Sequence, residues 1–132
     1  MPSRLISELQ PDFRAVMEQI VIAWEAHDLD VLITCTTRTK DEQAALYAIG
    51  RTKPGRIVTY KQPGTSMHEL GLAIDFVPLV QGKPMWKFAA HDPHDPWLLA
   101  AQVAMNVHAD VRWGGLWARF KDRPHLEWGG KG

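Results

Sequence analysis

Disulfide chemistry and excess charge are both missing from this sequence of 132 residues. The single cysteine, Cys35, excludes an intramolecular disulfide. It lies in the apolar stretch VLITC with no cysteine-centred motif around it, so we interpret it as a buried thiol without a chemical role. Fifteen basic side chains balance fifteen acidic ones, which argues against a general attraction to nucleic acid or to an anionic membrane.

Long hydrophobic runs are also missing. No window approaches the roughly 20 apolar residues of a membrane span, and the start MPSRLISELQ lacks the basic region and apolar core of a secretory signal. We therefore expect a protein made in the cytosol, without stable membrane association or a nucleic-acid partner, and monomeric. The length predicts one domain over residues 1–132, large enough to bury a substantial core.

Periodicity and turn residues predict an α+β domain with a small, mainly antiparallel sheet flanked by helices. Helices are predicted over Pro11 to about Leu29, Thr39–Gly50 and Asp95–Val107, and strands over Leu29–Thr36, Leu72–Val77, Val111–Trp117 and His125–Trp128. Thr39 and Glu42 fit a capping box, and Pro78 predicts the end of the second strand because it cannot donate to a ladder. The segments 51–64 and 81–96 are rich in Pro and Gly and are predicted to be loops.

One aspartate stands inside an apolar strand. Residues 72–80 read LAIDFVPLV, and Asp75 is their only charged member. A buried carboxylate is costly unless a cation or several hydrogen-bond donors offset its desolvation. His68 lies seven residues before Asp75, and His125 lies in the last predicted strand. Because two histidines and one carboxylate form a ligand set of catalytic zinc sites, we hypothesise that these three residues bind one Zn²⁺.

A zinc site of this kind makes water reactive at neutral pH, and hydrolysis then needs a carboxylate to take the proton of that water. Asp122, three residues before His125, is our first candidate for this base. Glu127 is the second and Glu69 the third. Arg38, at the junction of the first strand and the second helix, is a candidate for stabilising an oxyanion or holding a substrate carboxylate.

Structural interpretations of the same residues stay open at this point. Asp122 also fits a turn cap before Pro124, and Arg38 also fits a surface ion pair. We interpret three tryptophans as core residues and four histidines as solvated or core residues: Trp113, Trp117 and Trp128, and His27, His91, His94 and His108.

Two motifs carry a resemblance to a known family. The order SxHxxGxAxD from Ser66 to Asp75, followed by WGGxWxxFxDxPHxEW from Trp113 to Trp128, resembles the zinc peptidases that cut the peptides of bacterial peptidoglycan. These include D-alanyl-D-alanine carboxypeptidases and the L-alanyl-D-glutamate endopeptidases of phage endolysins. The resemblance covers residues 30 to 130 and implies the fold that these peptidases share with the hedgehog signalling domain.

The resemblance implies roles for residues already singled out. It implies zinc ligation by His68, Asp75 and His125, an acidic catalytic residue at Asp122, and a substrate-side arginine at Arg38. In having aspartate at position 122 the sequence resembles the endolysin branch of the family. The D-alanyl-D-alanine dipeptidases, another branch, have glutamate there. The sequence departs from the family at two positions. Met67 stands where an aromatic or polar residue is common, and Thr37 stands where a tyrosine is often found.

The implied function is hydrolysis of a peptidoglycan stem peptide, with L-alanyl-D-glutamate as the expected bond. Cleavage of D-alanyl-D-alanine is the alternative within enzymes, and a non-catalytic wall-binding or virion module is the alternative of another class. The expected setting is the cytoplasm of a host bacterium until a holin releases the protein to the cell wall.

Overall fold

The structure is a computed structural model that describes residues 2–89, 91–118 and 121–130. The described ranges contain three α-helices and five β-strands: α1 (Pro11–Ala26), β1 (Val31–Cys35), α2 (Lys40–Ala48), β2 (Ala73–Val80), β3 (Lys83–Pro84), α3 (Pro96–Val107), β4 (Val111–Trp113) and β5 (His125–Trp128). Two short 3-10 helices cover Ile6–Glu8 and Gly114–Leu116. Phe120, part of the second sequence motif, lies outside the described residues. Within the described ranges, every helix is too short or too polar to cross a bilayer.

Local side-chain bonds fix the helix starts at the predicted positions. The Thr39 hydroxyl accepts from the Glu42 backbone and the Glu42 carboxylate accepts from the Thr39 backbone, so the predicted capping box is present. Asp95 accepts hydrogen bonds from the first backbone amides of α3. Helix α1 ends at Ala26, before the predicted end at Leu29, because Asp28 adopts a left-handed φ of 54°.

The sheet is antiparallel and has β2 near its centre. The strand order is β1-β2-β5-β4, and β3 pairs with the far end of β2. The predicted α+β architecture with a small antiparallel sheet is therefore confirmed. The pairing places Asp75 of β2 directly opposite His125 of β5, although 50 residues of chain separate the two positions.

The core lies between the sheet and the pair of helices α1 and α3. Phe76 of β2 packs against Trp24 of α1 and Trp97 of α3, with ring centroids 5.8 and 5.3 Å away. Ile74 is also fully buried in this core. Side chains alternate along a strand, so Asp75 points to the opposite face from Ile74 and Phe76. The apolar packing of β2 and its one charged residue therefore occupy different faces of the sheet.

The prediction that β2 ends at Pro78 was wrong. Strand β2 continues to Val80, and Pro78 pairs with Val31 of β1. The amide of Phe76 donates to Pro124 on the β5 side, whereas the amide of Leu79 donates to Asp30 on the β1 side. The nitrogen of Pro78 thus faces the β5 side, beyond the last residue that β5 pairs. Its missing N–H costs no bond to β5.

Two other predictions about strands were wrong, one of a loop without a strand and one of a strand end. The loop predicted over 81–96 contains β3, which joins β2 through a two-residue turn at Gln81 and Gly82. Both turn residues have positive φ, 53° and 77°, as a type I′ hairpin requires. Gln-Gly is an unusual pair for this turn, which is why no hairpin was predicted here. The strand predicted over 111–117 ends at Trp113 and continues as a 3-10 turn.

Gly71 marks a close approach between the turn before β2 and the chain before α1. Its φ is +70°, and a Cβ there would lie 2.9 Å from the backbone nitrogen of Gln10, which donates to the Gly71 carbonyl. Gly82 has a similar φ of +77° with nothing within 4 Å.

We expect Gly82→Ala to lower the free energy of unfolding by about 1 kcal/mol, through left-handed strain alone. Gly71→Ala adds a backbone clash and is expected to cost roughly 2–4 kcal/mol. Urea unfolding of both variants measures the difference. Equal losses would show that the approach to Gln10 places no constraint on the fold.

Candidate metal centre

Three separate elements place His68, Asp75 and His125 side by side. His68 lies in the turn before β2, Asp75 in the middle of β2, and His125 at the start of β5. Asp75 Oδ1 lies 3.2 Å from His68 Nε2 and 3.7 Å from His125 Nδ1. The two imidazole rings are 5.3 Å apart and nearly perpendicular. The structure therefore brings together the three residues that the sequence singled out as metal ligands.

Each histidine has a fixed partner on its far side. His68 Nδ1 lies 2.7 Å from the Thr36 carbonyl oxygen, and His125 Nε2 lies 2.7 Å from Glu127 Oε1. A carbonyl and a carboxylate only accept, so these ring nitrogens donate. The other ring nitrogens, His68 Nε2 and His125 Nδ1, face Asp75, and each offers a metal ion its lone pair once its own proton has left. Metal-bound histidines are oriented by outer partners of this kind.

The pKa shifts around Asp75 show which charges the site favours. Burial raises the pKa of Asp75, but hydrogen bonds from His125 and His68, together with the charges of His68 and Arg38, hold it well below its ordinary range. Burial lowers the pKa of His68, yet hydrogen bonds with Asp75 and Cys35 outweigh it and raise that pKa to about 9. The site thus stabilises positive charge beside the Asp75 carboxylate. A divalent cation would supply that charge in place of the imidazole protons, so the donor set fits a metal such as zinc.

A second donor set shares two of these residues. Among the described residues, ligand atoms of Cys35, His68 and Asp75 all lie within 4.8 Å of one another. Cys35 is buried, as predicted, and its Sγ lies 3.8 Å from His68 Nδ1. That nitrogen already donates to Thr36, whereas Nε2 faces Asp75. One ion cannot bind both nitrogens of one ring, so we favour the set completed by His125.

Asp122 lies beside the centre, held by its backbone. Its amide donates to the Gly114 carbonyl, and its own carbonyl accepts from the His125 amide. The residue stays accessible at the rim. The surrounding protein nevertheless raises the pKa of its carboxyl, chiefly by desolvation and then by repulsion from Asp75. A carboxyl with a raised pKa next to a hydrolytic centre suits proton transfer.

The other two candidate bases are engaged elsewhere. Glu127 accepts from His125, and this hydrogen bond lowers its pKa. Both carboxylate oxygens of Glu69 accept from the Gly64 amide, at 2.9 and 2.7 Å, so Glu69 stabilises the turn before His68. Within the described residues, Asp122 is the candidate whose carboxylate has no hydrogen-bond partner.

Arg38 contacts the centre through Asp75. Its Nη2 donates to Asp75 Oδ2 at 3.0 Å and its Nη1 to Gln43 Oε1 at 3.2 Å. The guanidinium therefore fixes the orientation of the carboxylate, a position also adjacent to any bound substrate. Arg38 borders a groove of about 700 Å³ whose lining also includes Glu8 and Thr39. A second cavity, of about 410 Å³, lies at the other end of β2 around Pro78, away from the charged residues of the centre.

Sequence reasoning missed the role of Gln43 and misplaced Trp117. Gln43 is fully buried, and its amide nitrogen donates to the Lys61 carbonyl and the Thr59 hydroxyl. Its place on the inner side of α2 was the available signal, since a buried amide must find partners. Trp117, predicted as core, is only partly buried and lies 5.0 Å from the His125 ring.

Comparisons with known proteins agree on one family. A family model described as D-alanyl-D-alanine carboxypeptidase, of the peptidase M15 group, matches residues 60–128. The peptidoglycan L-alanyl-D-glutamate endopeptidase CwlK of Bacillus subtilis is 38% identical over 92% of this chain and 74% of its own length. The L-alanyl-D-glutamate peptidase of Listeria phage A118 is 30% identical over 96% of this chain and 40% of its own length.

Solved structures share the fold at lower identity. The L-Ala D-Glu endopeptidase ChiX of Serratia marcescens superposes with a TM-score of 0.67 at 20% identity, covering 93% of this chain and 82% of ChiX. The vancomycin resistance D,D-pentapeptidase VanY, solved with Zn(II), gives a TM-score of 0.60 at 13% identity, covering 92% and 73%. The α+β fold is that of these peptidases.

Two single substitutions distinguish the two donor sets. We expect His125→Ala to lose stoichiometric zinc, because it removes one of three ligands. We expect Cys35→Ala to keep it, because the thiol lies behind the ring nitrogen that faces away from Asp75. Metal content of both purified variants, measured by atomic emission after dialysis against zinc, gives the answer. Zinc retained by His125→Ala but lost from Cys35→Ala would assign the site to the cysteine set.

Proposed function

The chain belongs to the peptidase M15 family of metallopeptidases, and we propose that it is a zinc-dependent endopeptidase that hydrolyses the L-alanyl-D-glutamate bond of peptidoglycan stem peptides. The observation that carries the zinc chemistry is the partly buried carboxylate of Asp75 between two oriented imidazoles, those of His68 and His125. The bond is supported by both curated relatives, which are named for L-alanyl-D-glutamate cleavage. We also propose that the protein stays in the cytoplasm of a host bacterium until a holin releases it to the cell wall.

The proposed ligands are His68 Nε2, one Asp75 oxygen and His125 Nδ1. When bound, zinc activates a water molecule and polarises the carbonyl of the scissile bond. Thr36 and Glu127 keep both imidazoles in the tautomer that ligation requires. These contacts prepare the site before substrate arrives.

Asp122 is the proposed general base and acid. Its carboxylate accepts a proton from the attacking water and then delivers it to the leaving nitrogen of the D-glutamyl residue. The raised pKa favours holding that proton between the two steps. Arg38 keeps Asp75 oriented and contributes positive charge next to the developing oxyanion. The Trp117 ring lies against one side of the His125 ring.

Cleavage of D-alanyl-D-alanine is the second candidate, because the matching family model carries the carboxypeptidase description and VanY shares the fold. Mass spectrometry of products from purified muropeptides separates the two. Release of L-alanine-linked muramyl fragments is expected. Loss of only a terminal D-alanine would overturn the proposed bond, and no change with the zinc-loaded protein would favour a non-catalytic wall-binding module.

We expect Asp122→Asn to reduce hydrolysis of peptidoglycan by about 10²–10⁴-fold while zinc content stays unchanged, because the variant loses the proton acceptor but no ligand. Turbidity loss of cell walls and metal content are the measurements. Glu127→Gln is the matched control, since its amide oxygen still accepts from His125, and we expect less than a tenfold loss. If Asp122→Asn remained active and Glu127→Gln did not, the base would be Glu127.

A further inference from the structure

Positive charge is concentrated in one loop beside the centre. Between Glu42 and Glu69 the sequence has no acidic residue and four basic ones, although the whole chain is neutral. All four lie in the residues that we call the basic segment, 51–61: Arg51, Lys53, Arg56 and Lys61. A charge run of this kind is usually a solvated face, so its structural context decides its meaning.

The basic segment presents cations and apolar side chains together. Lys53, Arg56 and Lys61 are exposed, and within the described residues none of them forms an ion pair. Two apolar side chains between them, Ile57 and Val58, are 44% and 59% exposed. Exposed apolar side chains next to unpaired cations are typical of surfaces that bind anionic, partly apolar ligands.

The start of the basic segment is stiffened by ring contacts. The Arg51 guanidinium lies 3.7 Å from the Tyr47 ring centroid and 6.0 Å from that of Tyr60. Arg51 also donates to the Tyr47 carbonyl. These contacts attach the segment to the end of α2 and limit the entropy that a ligand would have to remove on binding.

The end of the basic segment is bonded to the candidate metal centre. Gln43 donates to the Lys61 carbonyl at 2.8 Å and accepts from Arg38, which in turn donates to Asp75. Two side chains, those of Gln43 and Arg38, therefore connect the Lys61 backbone to the Asp75 carboxylate. The Gln43 amide that bonds the Lys61 carbonyl is fully buried.

The proposed substrate carries the matching charge. A glutamyl residue uses one of its two carboxyl groups to continue the peptide and keeps the other free. We propose that the exposed face of the basic segment binds the acidic stem peptide, with Lys61 contacting the free carboxylate of the D-glutamyl residue at the scissile bond. This inference rests on the proposed function and adds the residue that recognises its substrate.

Two synthetic peptides test the proposal: L-alanyl-D-glutamyl-L-lysyl-D-alanine with the glutamyl carboxyl free, and the same peptide with that carboxyl amidated. For the zinc-loaded protein we expect a KM about threefold to fivefold lower for the free acid, the size of one partly exposed ion pair. Lys61→Met is expected to raise the KM of the acid to that of the amide, with kcat changed less than twofold. The KM of the amide is expected to stay the same.

Lys83→Met is the matched control, because Lys83 is an exposed lysine of β3 at the opposite end of β2. We expect its two KM values to equal those of the unsubstituted protein. In the unsubstituted protein, raising the salt concentration should weaken the preference for the acid peptide, because salt screens an exposed ion pair. This preference should fall no further than it falls in Lys61→Met without added salt. A preference that survives Lys61→Met, or is lost equally in Lys83→Met, would overturn the inference.

Failure of the proposed function gives a different result. If neither peptide is cleaved, the proposal that the protein hydrolyses the L-alanyl-D-glutamate bond is wrong. Calorimetric binding of the uncleaved acid and amide peptides then tests the surface by itself. Equal affinities for the two peptides would overturn the role of Lys61, and a preference for the acid that disappears in Lys61→Met would support it.

Discussion

The structure around β2 depends on satisfying one partly buried carboxylate, that of Asp75. Asp75 contacts two imidazoles and a guanidinium, each held from behind by another group. A buried charge that loses a partner is strongly destabilising, so the turn with His68, the start of β5 and the start of α2 must all meet at this point. The same requirement that stabilises the fold here produces a set of donors suited to a divalent cation. Stability and chemistry therefore have a common origin in this strand.

Alternation along β2 lets a small domain carry both a dense core and a charged site. Phe76 and Ile74 complete the packing against α1 and α3, while Asp75 between them faces the other side. The apolar packing on one face of the strand thus leaves the other face available for the carboxylate. Two of the three proposed ligands, Asp75 and His125, are thereby carried by strands, which favours the precise placement that hydrolysis needs.

Proteins with this fold differ in the activity they are named for: CwlK and ChiX are L-alanyl-D-glutamate endopeptidases, and VanY is a D,D-pentapeptidase. A shared fold does not determine a substrate. If the metal centre supplies the same chemistry in each, discrimination has to come from the surroundings, where a free carboxylate distinguishes a glutamyl residue from an alanyl one. Gln43 is the physical link between those surroundings and the centre, since one amide bonds both Arg38 and the backbone of Lys61.

The sequence by itself determined the helix starts, the antiparallel α+β class and the family, because capping bonds, periodicity and short motifs depend on residues near one another in the chain. It also marked Asp75, since a charge in an apolar strand is visible without a structure. It could not show that β2 continues past Pro78, because that depends on where β5 stops pairing. Only the tertiary structure decided which ring nitrogen of each histidine faces Asp75. It also decided which of the three candidate bases has a carboxylate that accepts no hydrogen bond within the described residues. Those choices follow from hydrogen bonds to partners such as Thr36, which is far from His68 in the sequence and adjacent only in the folded chain.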